Sequence, residues 1–139
     1  MTDIEVLFDQ NDWGCEVVEA DVWRTTFAIA SEEEFDLYVL LAEDWLHFAV
    51  SPWLTTATAG VSARLLRALL KLNQELRVAR FALDADDDVN LLADLPLAAA
   101  DATRFGETLD LLVFYTDRLV GDLRRVAVDP DFRSALVAD

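Results

Sequence analysis

The stretch Val61–Leu97, VSARLLRALLKLNQELRVARFALDADDDVNLLADLPL, changes its apolar period twice. Leu65, Leu69, Leu72 and Leu76 are spaced four, three and four apart and so form one stripe of a helix, with Leu66 and Leu70 widening it. Arg64, Arg67, Lys71 and Gln74 fall on the opposite side. So wide a stripe predicts packing against a sheet rather than simple rest on a surface. From Val78 the period becomes two. Ala79, Phe81 and Leu83 alternate with Val78, Arg80 and Ala82, as in a half-buried strand. Asp84–Asp88 suits a turn, Val89, Leu91, Ala93 and Leu95 resume the alternation, and Pro96, lacking an amide donor, ends the pairing. The unit is a helix followed by a hairpin.

Upstream, Ile4, Leu7 and Phe8 predict a short helix over Asp3–Gln10, ended by Asn11-Asp12. Trp13 and Cys15–Glu19 look like a first strand. Trp23, Thr25, Phe27 and Ile29 alternate clearly and give a second. Ser31 and Glu32–Glu34 could cap a helix, but alternation resumes at once in Phe35, Leu37, Val39 and Leu41, which favours a turn. Glu43-Asp44 is a tight turn without Gly or Asn. Leu46, Phe48 and Val50 then form one face of the next strand, with Trp45, His47 and Ala49 on the other. Three successive antiparallel strands make a meander whose middle strand, apolar on both faces, is expected to be central and at least partly covered on both sides. Ser51-Pro52 is expected to break the last strand, and Trp53–Gly60 to connect to the helix.

Downstream, Asp101 is positioned to cap a long helix whose stripe is Phe105, Leu109, Leu112, Leu119 and Leu123, with Val113 and Val120 beside it. Gly106 and Gly121 weaken it locally, by about 1 kcal/mol each relative to Ala. Asp129-Pro130 punctuates, and Phe132, Leu136 and Val137 are expected to cap the fold as a last turn or helix. With 139 residues and no linker or repeat, the chain (1–139) reads as one domain. The fold class is α+β: an antiparallel sheet of about five strands with helices packed on it, in the order α-β-β-β-α-β-β-α.

Beside this reading stands a resemblance. LLRALLKLNQEL, then VARFALDADDDVNLLADLPL and a long final helix, resembles the YbjN family of bacterial sensory transduction regulators, which shares the fold of the type III secretion chaperones. The likeness lies in the apolar spacing, Leu72-Asn73-Gln74, Phe81-Ala82-Leu83-Asp84 and Leu95-Pro96-Leu97, and covers Thr58–Leu123 best. It implies a homodimer that binds extended segments of a client protein on its sheet and helix surfaces.

Composition narrows the function. A net charge of −16 opposes nucleic acid and anionic lipid, since both demand Lys and Arg. Solubility alone would account for the acidity, and a basic partner is the alternative. The single cysteine allows no internal disulfide, and neither a signal peptide nor a membrane span is read, so a cytoplasmic setting is expected. Hydrophobic residues reach 54%, with four Trp and eight Phe, which implies either a very full core or an apolar surface that a partner covers.

No catalytic chemistry emerges. Asp84, Asp86 and Asp88 begin like a calcium loop, but Val89 and Leu95 stand where that loop needs Gly and Glu, so a solvated turn is the better reading. His47, the only histidine, has no nucleophile signal to pair with, and one His with one Cys cannot furnish a zinc site. Cys15 has no basic neighbour to activate it. Four glycines leave no phosphate-cradling loop. Arg118, Arg124 and Arg125 read as cations complementing a helix dipole. No catalytic, cofactor-binding or metal residue is therefore assigned. Trp45, Trp53, Leu54, Phe114 and Tyr115, hard to place together in one small core, are the candidates for a protein-binding surface. The expected function is a non-enzymatic interaction domain binding a protein partner or client. The alternatives are a regulatory domain in signalling or stress response and, with least support, a small hydrolase-like enzyme using surface carboxylates.

Overall fold

A computed structural model describes residues 3–56 and 60–137. Helix α1 (Asp3–Gln10) precedes strands β1 (Glu16–Glu19), β2 (Val22–Ala28), β3 (Glu34–Ala42) and β4 (Trp45–Leu54). Helix α2 (Ala63–Glu75), strands β5 (Ala79–Leu83) and β6 (Val89–Pro96), a 3₁₀ turn (Leu97–Ala99) and helix α3 (Ala102–Val128) complete the order. The sheet is antiparallel throughout, in the order β1-β2-β3-β4-β6-β5. The expected α+β architecture is present with six strands where about five were expected. The short, exposed β1 lies where Cys15–Glu19 reads as a strand; the order with three strands before α2 leaves it out, and with it four precede that helix.

Alternation settles which face is buried. Trp23, Thr25, Phe27, Phe35, Leu37, Val39, Leu46, Phe48, Val50, Phe81, Leu91 and Ala93 all point inward, where Phe105, Leu109, Leu112, Leu119 and Leu123 of α3 and Phe8 of α1 meet them. Phe105 packs at 5.0 Å from Phe8 and 5.4 Å from Phe48, ring centre to ring centre. Each such side chain contributes about 1.5–3 kcal/mol by leaving water. The opposite face carries no helix among the described residues: Leu40 and Trp45 remain 40% and 44% exposed, and Tyr38 and His47 are half-buried. β3 is interior in the sheet as expected, but the cover of its outer face is slight: Tyr38 is half-buried and Leu40 is exposed.

The turns explain why the meander closes so tightly. Glu43 and Asp44 both have positive φ, 53° and 66°, the type I′ geometry that suits a right-twisted two-residue hairpin even without Gly. At Asp84 the side-chain oxygen accepts amide hydrogens from Asp86 and Asp88 at 2.9 and 3.1 Å, so its carboxylate shapes the acidic turn. Asn11 donates to Leu7 O and Ala102 O at 2.9 and 3.0 Å, tying α1 to the start of α3. Gly106 makes room there: a Cβ would stand 2.1 Å from the Asn11 side chain and displace it from these hydrogen bonds, so this residue permits close approach as well as weakening the helix.

Ser51-Pro52 does not break β4. The strand runs on to Leu54, with an irregularity between Val50 and Leu54 in its pairing with β6. Of the expected Trp53–Gly60 connection, residues 57–59 lie outside the described set.

The two sheet edges are managed differently. On β5, the Asn73 side chain accepts from Phe81 N at 2.7 Å and donates to Phe81 O at 3.1 Å, standing in for a further strand. On β1, four residues, an irregular register between Val17 and Glu19, and flanking glutamates blunt the edge.

Candidate protein-binding surfaces

Helix α2 decides where apolar surface is left. Ser62 caps it, its Oγ accepting from Leu65 N at 3.1 Å. Leu65, Ala68, Leu69 and Leu72 are buried against β5 and α3. Leu66 and Leu70, expected to widen that stripe, are instead 36% and 69% exposed. The helix therefore lies along the β5 edge rather than flat across the sheet. Between the two elements runs an apolar groove of about 240 Å³, lined by Leu66, Leu69, Leu70, Asn73, Phe81 and Leu83. Leu83 is 40% exposed, and Val78, held at φ 67°, is exposed close by. Asn73 occupies the Phe81 backbone, so this groove offers a partner side chains and not a strand to pair with.

The other flank of α2 is covered. After α3, residues 130–137 turn back along the α2–α3 groove without forming a helix. Val137 is buried; Phe132 and Leu136 are half-buried against the core. Arg64 reaches across from the start of α2, its guanidinium donating to Asp129 O at 2.9 Å and to Phe132 O. Arg125 stacks over the Phe132 ring at 4.0 Å. The end of α3 is thus served by Arg64 as well as by its own Asp129 cap, whereas Arg124 turns away to Glu33 with two contacts of 2.6 Å. Hydrogen bonding to that guanidinium holds Glu33 below the usual carboxylate range and pushes Arg124 up, against the opposing effect of burial. This pair borders an open, polar depression of about 460 Å³ that also touches Glu34, Phe35, Asp36 and Pro52.

The five residues singled out from the sequence are not brought together. Trp53 and Leu54 are buried. The Trp53 indole donates to Thr116 Oγ at 3.0 Å and its ring lies 4.6 Å from Phe81. They belong to the core because β4 continues past Pro52. Trp45 is exposed on the open sheet face, and Phe114, 54% exposed, lies on α3 on the other side of the molecule. Tyr115 is half-buried and its hydroxyl accepts from Arg77 N at 3.0 Å. Missed by the sequence reading were Leu66, Leu70 and Leu83. The signal was present: Leu66 and Leu70 lie about 100° round the helix from Leu65 and Leu69, too far to share their contact.

The titratable groups have ordinary structural work. His47 Nδ1 meets Asp94 Oδ1 at 2.7 Å, and Asp94 Oδ2 meets Arg80 at 2.9 Å, on the open sheet face. Burial, with Glu5 nearby, pushes the Cys15 thiol pKa up, away from reactivity. Among the described residues no cluster of His, Cys, Asp or Glu is arranged to hold a metal ion, and no helix is long and apolar enough to cross a membrane. Charge is unevenly distributed. The first 63 residues carry thirteen carboxylates against one cation, Arg24; the remainder carry fourteen against ten. Because β1–β4 form one side of the sheet and β5 and β6 the other, the acid concentrates on the β1 side.

Comparison with solved structures agrees with the fold. SpcU–ExoU, a heterodimeric complex from the type III secretion system of Pseudomonas aeruginosa, matches with a TM-score of 0.60 and 20% identity, over 85% of this chain and 95% of that one. The Yersinia pestis type III secretion chaperone SycH, in complex with a fragment of YscM2, matches with 0.55 and 20%, over 83% and 94%. A chain of the ExsC–ExsE complex matches with 0.53 and 16%, over 76% and 80%. At these identities the likeness is one of fold. No curated protein matches the sequence. The model of the YbjN family, described as "Putative bacterial sensory transduction regulator", matches residues 2–124, and the chain belongs to that family.

Proposed function

We propose that this chain is a non-enzymatic protein-interaction domain that works as a homodimer and holds a protein partner or client. One observation carries the reading: the bare groove between α2 and β5, where Leu66, Leu70 and Leu83 face solvent although the same chain buries nearly every other large apolar residue of those elements. Exposed leucines grouped around a concave seat are the mark of an interface core. The groove suits a second copy, because Leu70 of one chain can enter the seat beside Leu66 and Leu83 of the other in an isologous pairing. Fold kinship with a type III secretion chaperone and with a heterodimeric type III secretion complex, each solved with another protein, supports a role in holding a client. Trp45 on the open sheet face and Phe114 on α3 are the remaining candidate contacts for that client. The setting we propose is cytoplasmic, which the unpaired Cys15 fits.

A regulatory role is the second reading, and the description of the YbjN family favours it. It shares the same surfaces and differs only in which protein is bound. The test is affinity capture from the native host, run in parallel with wild type and Leu70→Asp, with the mass of each measured by light scattering. A dimeric wild type, a monomeric variant and a protein recovered only with the former are expected. A monomeric wild type that captures nothing specific would overturn the reading.

A further inference from the structure

The α2–α3 groove is occupied by the chain's own residues 130–137, which cover it only in part. Open depressions of about 260 Å³ each border Leu136: one against Lys71, Leu72 and Glu75, the other against Leu76, Phe114 and Leu119. These depressions are open to solvent, so the strap leaves the groove's margins uncovered, and one of them reaches exposed Phe114. The strap's hold on the body is short. Phe132 is fixed through Arg64 and Arg125, Ser134 Oγ meets Asp122 Oδ2 at 2.5 Å, and of the strap's described side chains Val137 alone is fully buried. It has neither helix nor strand to resist peeling.

We propose that residues 130–137 are a detachable cover, a built-in competitor that hinges at Asp129-Pro130 and must lift before an apolar protein segment can enter the α2–α3 groove. This rests on the protein-interaction reading but concerns a different flank of α2 from the dimer groove. Its chemistry is stated by the strap itself: the displacing segment presents large apolar side chains in the pattern of Phe132, Leu136 and Val137. A competitor held in place within the chain reduces apparent affinity by the fraction of time the groove is free.

The probe is a labelled synthetic peptide of residues 130–137, added to the full chain and to the full chain carrying Leu136→Ser and Val137→Ser. The variant is expected to bind the peptide about tenfold or more tightly than wild type, as the vacated groove accepts the strap in trans. Equal affinities, or no binding to either, would overturn the proposal. Hydrogen exchange on unaltered protein decides the matter should the variant fail to fold. The hydrogen-bonded amides of Phe132 and Leu136 are expected to exchange by local opening while α2 and α3 stay protected. Exchange of the strap only together with those helices would make it an integral part of the core and end the idea. Neither readout needs a dimer or a client, so a monomeric wild type would remove the proposed function and leave the strap standing.

Discussion

The two flanks of α2 solve one problem in opposite ways. Each is a shallow apolar groove beside a half-covered helix. On the β5 side the chain leaves Leu66, Leu70 and Leu83 bare; on the α3 side it lays its own residues 130–137 over Leu72 and Leu119. Apolar surface of the same origin is thus open in one place and closed in the other. The difference lies in what the neighbouring chain can reach. Asn73 fixes β5 at the helix edge and leaves nothing to fold over it, whereas the end of α3 is followed directly by a segment long enough to turn back.

The sharpest test sets leucines of the same helix against each other. Leu72→Ala removes a buried side chain and is expected to cost about 2–5 kcal/mol in urea unfolding. Leu70→Ser, two residues away and largely exposed, is expected to change stability by no more than about 0.5 kcal/mol when both are measured at concentrations dilute enough to keep the chain monomeric. Similar losses from both would mean that the groove is not open. Next in size, Asn73→Ala strips two hydrogen bonds from the Phe81 backbone and is expected to cost about 1–3 kcal/mol, with faster exchange of the Phe81 amide. An unchanged Phe81 amide would show that the edge is not sealed by that side chain.

The smallest expected effect concerns pH. Glu33 has its pKa lowered on folding by Arg124, so the pair's contribution is present above the unfolded glutamate value of about 4.3 and is lost as pH falls through the lower folded value. Both side chains are more than a third exposed, so the contribution is below about 1 kcal/mol. Glu33→Gln is expected to flatten the acid limb of the stability curve by that amount, measured by thermal melts between pH 3 and 7, without changing either groove.

Most of this architecture was legible in the sequence, because period two and period 3.6 are imposed by burial on one side. Asp3–Gln10, the β3 alternation from Phe35, the Asp101 cap and the Pro96 stop all follow from local rules and appear where expected. What was not legible depends on long-range partners. Pro52 ends most strands, but β4 continues through it because the buried sites for Trp53 and Leu54 are supplied by residues such as Phe81 and Thr116, far along the chain. Two of the five candidate surface residues moved into the core for that reason. Leu66 and Leu70 moved outward because the helix meets an edge and not a face; their offset of about 100° from Leu65 and Leu69 separates the two rows, but only the long-range packing decides that the second row is bare.

The uneven distribution of carboxylates has a consequence for self-association. Two such molecules repel at long range, most strongly when their β1–β4 halves approach, so an encounter is steered toward contact through the end bearing α2 and β5. Added electrolyte shortens that repulsion without weakening leucine contacts. Pairing should therefore tighten as ionic strength rises, contrary to the trend for an interface built on ion pairs.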